Sequence, residues 1–132
     1  MEELAVVKLV VRRSRFFAHL YKIEDDTEIA SIVSVHRQRY KKANHHCYAL
    51  RLTCPSTGTI IENWKDDGEI AHPGRILLDI LKRHHLTSHI LVVSRIFGGI
   101  KLGAGGVGRA FREAGEQVIT CSSAGNKNSP QC

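Results

Sequence analysis

The sequence predicts an α+β fold: a single mixed or antiparallel sheet with helices on one face. Three observations predict it. Runs of strand formers occur at 4–12, 14–23, 46–54, 59–64 and 90–93. Apolar residues recur at helical spacing over 27–41, after Pro73, and from Val107 onward. The resulting order, β-β-α-β-β-α-β-α, does not alternate strictly and contains neither repeats nor an internal linker. One domain over residues 1–121 is expected, with 122–132 as a disordered tail rich in Ser, Gly and Asn.

The elements follow from local chemistry. In 14–23, Phe17, His19, Tyr21 and Ile23 share one face and Phe16, Ala18 and Leu20 the other. Arg12-Arg13-Ser14-Arg15, between the first two strands, is a concentrated basic cluster that reads alone as a solvated turn. Asp25 and Glu28 have the spacing of a capping box, with Asp in place of Ser or Thr. Ile29, Ile32, Val33, His36 and Tyr40 form the helical stripe that follows, and Arg37, Arg39, Lys41 and Lys42 suit the negative end of that helix. Pro55-Ser56-Thr57-Gly58 is a hairpin turn between two strands, and Lys65-Asp66-Asp67-Gly68-Glu69 is an acidic loop without periodicity. Pro73 suits a first helical turn, and Ile76, Leu77, Ile80 and Leu81 form that helix's buried stripe.

Composition bounds the function. The 132 residues are 42% hydrophobic and 24% charged, as in a soluble globular domain. No stretch approaches the roughly 20 apolar residues that cross a bilayer, and the N-terminus does not resemble a signal peptide, so a cytoplasmic location is expected. Cys47, Cys54, Cys121 and Cys132 form no C-x-x-C pair, which predicts reduced thiols rather than a disulfide framework. A net charge of +6 and a pI near 9.4 favour an acidic partner such as nucleic acid.

The segment with the most chemistry is Arg95-Ile96-Phe97-Gly98-Gly99-Ile100-Lys101-Leu102-Gly103-Ala104-Gly105-Gly106-Val107-Gly108-Arg109. A strand, a glycine turn and a helix start leave backbone N–H groups that favour an anion, and Lys101 and Arg109 add positive charge beside them. The glycines equally suit close packing and positive φ. Gly103, Gly105 and Gly108 spell G-x-G-x-x-G, but the second strand and acidic residue of a dinucleotide fold do not follow. No P-loop is present either. Asp66, Asp67 and Glu69 read as a polar loop rather than an acid–base cluster. His45 and His46 point to opposite faces of a strand, so metal binding is not expected. Cys47 reads as a buried strand thiol, not a nucleophile. No cofactor and no catalytic residue is identified.

Ser14-Arg15-Phe16, Ala43-Asn44-His45-His46-Cys47-Tyr48-Ala49, Asp66-Asp67-Gly68-Glu69 and the glycine segment occur in the order that resembles the IMPACT/YigZ family. The resemblance spans about residues 12–120. It implies a fold similar to the second domain of ribosomal protein S-five and domain IV of elongation factor G, both parts of the translation machinery. It further implies nucleic-acid binding for bacterial members. For eukaryotic IMPACT it implies relief of inhibition by a stress-activated initiation-factor kinase, through competition for that kinase's activator. These 132 residues are expected to hold neither the ferredoxin-like domain of bacterial members nor the RWD domain of IMPACT. Ile70-Ala71-His72-Pro73-Gly74-Arg75 replaces the family's Pro and Gly-Thr-Ala-Gly run after Glu69.

The expectation is therefore a non-enzymatic binding domain in translation regulation, acting through RNA, the ribosome or a translation-associated protein. The binding residues expected are Arg95, Gly98, Gly99, Lys101, Gly103, Gly105, Gly106, Arg109 and Arg112, with Asn44, His45 and Arg75 beside them. The alternative is a phosphate or nucleotide site at the glycine turn with weak enzymatic activity. A protein-interaction module using the free face of the sheet is the third reading.

Overall fold

A computed structural model describes residues 1–122. The elements are β1 (Glu2–Val11), β2 (Ser14–Lys22), α1 (Glu28–Arg39), β3 (His45–Thr53), β4 (Ile60–Lys65), α2 (Pro73–Arg83), β5 (His89–Ile96) and α3 (Gly103–Cys121). The α+β class and element order are as expected. The strands form one sheet in the order β1-β2-β5-β3-β4, and every neighbouring pair is antiparallel. Of the tail expected at 122–132, residues 123–132 lie outside the described residues, and Ser122 is not part of a tail. Ser122 is buried, and its N–H donates to the Val118 carbonyl at the end of α3.

Alternation along the strands builds two cores. On one face Phe16, Ala18 and Leu20 of β2, Cys47 and Ala49 of β3, and Leu91 and Val93 of β5 pack against α2 and α3. Phe16 meets Phe111 of α3 edge-to-face, with centroids 5.3 Å apart. Gly115 lets α3 approach α2 closely, since a Cβ there would sit 2.8 Å from Ile80 Cδ1.

The opposite face is not free, which corrects the expectation of helices on one face only. Tyr21, Leu50, Ile90 and Val92 point that way and are covered by α1 through Ile32. The strands carry large side chains on both faces, so a one-sided helical layer would leave an apolar surface in water. The two crossovers also explain why the pattern misleads. β2-α1-β3 and β4-α2-β5 each join parallel strands across one intervening strand, in opposite directions along the sheet. With their helices on opposite faces the crossovers have opposite hands, so one departs from the right-handed rule.

Two local features differ from expectation. Glu28 Oε2 accepts from the Asp25 N–H at 3.3 Å, as in a capping box, but Asp25 Oδ1 accepts from the nearby Thr27 N–H at 2.9 Å. Short Asp side chains favour that local turn over reaching further into the helix. Cys47 and Cys54 are free thiols, as expected, whereas Cys121 is disulfide-bonded.

Candidate anion-binding site at the glycine-rich turn

The site begins at the hairpin between β1 and β2. Val11 pairs with Ser14, so Arg12 and Arg13 form a two-residue turn, with φ of 44° and 70°. Such turns normally use Asn and Gly, because both central residues are left-handed. Two arginines here hold strained backbone and place two guanidinium groups at the tip. Gly98, just past β5, lies directly against this turn: a Cβ there would be 2.1 Å from the Arg13 carbonyl carbon. Its N–H donates to Ser14 Oγ at 3.3 Å. Gly98 therefore serves close packing and its amide is already engaged.

Gly99 and Gly103 have φ of +89° and +71°, and both have open space around the Cβ position. Their glycines serve chain direction rather than packing. From Gly103 the chain enters α3. Its N-cap, Leu102, provides no side-chain hydrogen bond, and its first turn holds no acidic residue. The amides of Gly103, Ala104 and Gly105 thus open a 19-residue helix with, among the described residues, no side-chain cap from Leu102.

A cavity of about 620 Å³ opens beside this helix start. It brings together five of the residues singled out in the sequence: Asn44, His45, Arg95, Lys101 and Gly103. Phe97, Leu102, Ile70 and Val107 supply its apolar wall. A hollow of about 300 Å³ adjoins it across Leu102 and takes in Arg12, Gly106, Arg109 and Glu113. Gly105 lies beneath the Arg109 guanidinium, whose Nη1 would be 3.3 Å from a Cβ at that position. Arg112 is exposed further along α3 and lines neither space. Arg75 is on α2, with its guanidinium 5.2 Å from the Trp64 ring centre, and also lies outside both.

Charge is distributed unevenly among these residues. Arg95 is 7% exposed and its Nη1 donates to Glu69 Oε2 at 2.9 Å. Its guanidinium sits between Phe16 and Phe97, 5.5 and 5.8 Å from the two rings, and its Nε has no hydrogen-bond partner. Its charge is largely answered by Glu69, so it shapes the wall. Lys101 and Arg109 are exposed and, among the described residues, unpaired with any carboxylate, which leaves them available to an anion.

The acidic loop is a buckle. Asp66 Oδ1 accepts from the Gly74 N–H at 2.8 Å, fastening the start of α2. Asp67 Oδ2 accepts from the His46 N–H at 2.8 Å, and the Asp67 carbonyl accepts from His45 Nδ1 at 2.9 Å. That bond turns His45 Nε2 toward Glu69, at 3.8 Å. Asp67 and Gly68 take positive φ to bring these groups round. Each carboxylate is consumed in positioning, and among the described residues no three His, Cys, Asp or Glu side chains group as metal ligands. Cys47 Sγ donates to the Asp66 carbonyl, and burial pushes its thiol well above the usual range, so this thiol is held protonated.

On the opposite face, sequence reasoning missed a buried polar chain. His46 Nδ1 and His36 Nδ1 each lie 2.8 Å from Ser94 Oγ. Tyr21 OH is 2.9 Å from His36 Nε2 and 3.4 Å from His19 Nδ1, and His19 Nε2 is 2.6 Å from Tyr40 OH. With all three rings neutral, one direction of donation from His46 to Tyr40 satisfies every contact. Burial is the main cause that lowers His19 to about 4 and His36 to about 3, and it lowers His46 in the same direction. His36 and Tyr40 were visible at helical spacing, and His19 and Tyr21 on one strand face. Only the fold brings the two sets together.

Comparison with known proteins places these features in context. The profile of the Impact N-terminal domain matches residues 12–119. The IMPACT family member YvyE of Bacillus subtilis is 32% identical over 112 residues, which cover 84% of this chain and 50% of that protein. The chain therefore spans about half the length of this relative. A crystal structure described as that of a hypothetical protein superposes with a TM-score of 0.80 at 26% identity, over 93% of this chain and 63% of the other. Yih1, described as a two-domain translational regulator, shares the fold with a TM-score of 0.61 at 22% identity, over 89% of this chain and 46% of its own.

Proposed function

The chain belongs to the IMPACT family, and we propose that it acts in translation regulation as a non-catalytic domain that binds the phosphate backbone of RNA across the glycine-rich turn. The observation that carries this reading is the uncapped start of α3 with Lys101 and Arg109 unpaired beside it. Backbone amides and the helix dipole favour an anion, and the two cations attract a polyanion rather than a single charge. The arginines at the β1–β2 tip extend the same basic rim. The description of Yih1 as a translational regulator supports the setting.

Three phosphate contacts, from Lys101, Arg109 and Arg12, correspond to a log–log salt slope of about −2 for single-stranded RNA. The test is RNA affinity across a salt series for the wild type and for Lys101→Ala/Arg109→Ala. The variant should bind more weakly with a slope shallower by about 1.4. Affinity that is independent of salt, or equal in the two proteins, overturns the reading.

The cavity volume favours a second reading. About 620 Å³ with an apolar wall and convergent Asn44, His45 and Lys101 matches a small phosphorylated ligand such as a nucleotide. A ligand that binds only the folded state raises the melting temperature, so a thermal-shift screen with nucleotides separates the two readings.

A further inference from the structure

The sheet face covered by α1 carries a second basic hollow, of about 420 Å³, at the same end of the sheet. Arg15 of β2 lines it together with Arg39, Lys41 and Lys42 from the end of α1, and no lining residue is acidic. Among the described residues none of these four cations is paired with a carboxylate. The helix dipole accounts for cations at the end of α1. It does not account for Arg15, or for Lys8 of β1, whose Nζ lies 6.0 Å from the Phe17 ring centre. Cations from separate elements converge on one place.

The floor of that place is aromatic. Phe17 stacks on Tyr40 with centroids 4.3 Å apart and planes at 21°. Tyr40 is held from beneath by its hydroxyl contact to His19, while Phe17 is only half-buried. A rigid aromatic pair ringed by unpaired cations suits an unpaired base with its flanking phosphates, since stacking tolerates any base and the charges follow the backbone. Duplex RNA offers no free base face to such a floor. The hollow and the glycine-turn cavity are lined by neighbouring residues on either side of the same chain segments. Lys41 and Lys42 line the first space and Asn44 and His45 the second, while Ile96 faces the first and Arg95 and Phe97 the second.

We propose that the Phe17–Tyr40 hollow binds a nucleotide of single-stranded RNA, its base against Phe17 and its phosphates on Arg15, Lys41 and Lys42. This rests on the RNA reading and extends the path of the strand around the end of β5. The test is the affinity of an unstructured oligouridylate and of an RNA hairpin duplex for four proteins. These are the wild type, Phe17→Leu, Lys41→Ala/Lys42→Ala and Lys101→Ala/Arg109→Ala, each first checked for an unchanged circular dichroism spectrum. Phe17→Leu should weaken oligouridylate binding about tenfold and leave duplex binding unchanged. Lys41→Ala/Lys42→Ala, which alters only exposed side chains, should reduce the salt slope by about 1.4. If both bind oligouridylate like the wild type while Lys101→Ala/Arg109→Ala loses binding, the hollow is not a site and the glycine-turn reading stands. If the losses fall only on the Phe17 and Lys41/Lys42 variants, the hollow stands and the glycine-turn reading falls.

Discussion

Lowering the pH to about 5 should remove a large part of this domain's stability, through His19 and His36. Both rings are 1% exposed and sit in a chain of contacts that the neutral forms satisfy completely. Protonating His36 sets a second N–H against Ser94, which already faces His46, and leaves the hydroxyl hydrogen without an acceptor in the chain. The nearest carboxylate, Glu3, is 3.6 Å from His19 and exposed, and the Arg39 guanidinium opposes a further positive charge. In the unfolded chain these histidines titrate at 6.5, in the folded one at about 4 and about 3. Between those values the unfolded state binds more protons, so stability falls as pH falls and is retained in full above about 6.5. At about pH 5 each ring has lost about 1.5 pH units of linkage, or about 2 kcal/mol, and the pair about 4 kcal/mol. Against a typical total of about 5–15 kcal/mol this is readily measured. The Glu28 carboxyl is held below the ordinary carboxylate value by the N-terminal ammonium and nearby amides, so its own contribution is lost in the same direction as pH falls. Urea denaturation at about pH 7.5 and about pH 5 reads the difference as a shift in midpoint. An unchanged midpoint would refute the neutral, buried chain.

Glu69→Leu should destabilise by about 3–5 kcal/mol, because it strands the buried Arg95 guanidinium, while Glu69→Leu/Arg95→Leu should recover most of the loss; denaturant titration of both checks this. Arg12→Asn/Arg13→Gly should stabilise by about 1 kcal/mol by relieving two left-handed arginines, yet weaken RNA binding, as thermal melting and binding assays would read. In the native protein Cys54 should alkylate near neutral pH, since hydrogen bonds from the turn lower its thiol to about 7, and Cys47 should not. Mass spectrometry after brief iodoacetamide treatment distinguishes them.

The parts legible in the sequence were those governed by local period and local charge. Alternation in β2 placed Phe16 and Phe17 on opposite faces, Pro73 marked the start of α2, and the glycine run marked the entry to α3. The opposite orientations of His45 and His46 also followed from strand period: one meets Asp67 and Glu69, the other Ser94. What local pattern does not encode is the side of the sheet on which a crossover lies. α1 could not be assigned to its face, and with it went the His36–Ser94 contact and the meeting of Arg15 with Lys41 and Lys42. Arg95 misled for a related reason. As a charge beside glycines it reads as a ligand group, and only the folded loop shows that Glu69 answers it. The acidic loop likewise shows its use only where Asp66 meets the Gly74 amide.

The central claim is that the start of α3 receives phosphate. The most direct measurement is an amide NMR titration of the protein with an unstructured RNA oligonucleotide at low salt. The account predicts that the amides of Gly103, Ala104 and Gly105 shift together, and that the shifts reverse on adding salt. Saturable binding that leaves these three amides unmoved would contradict it.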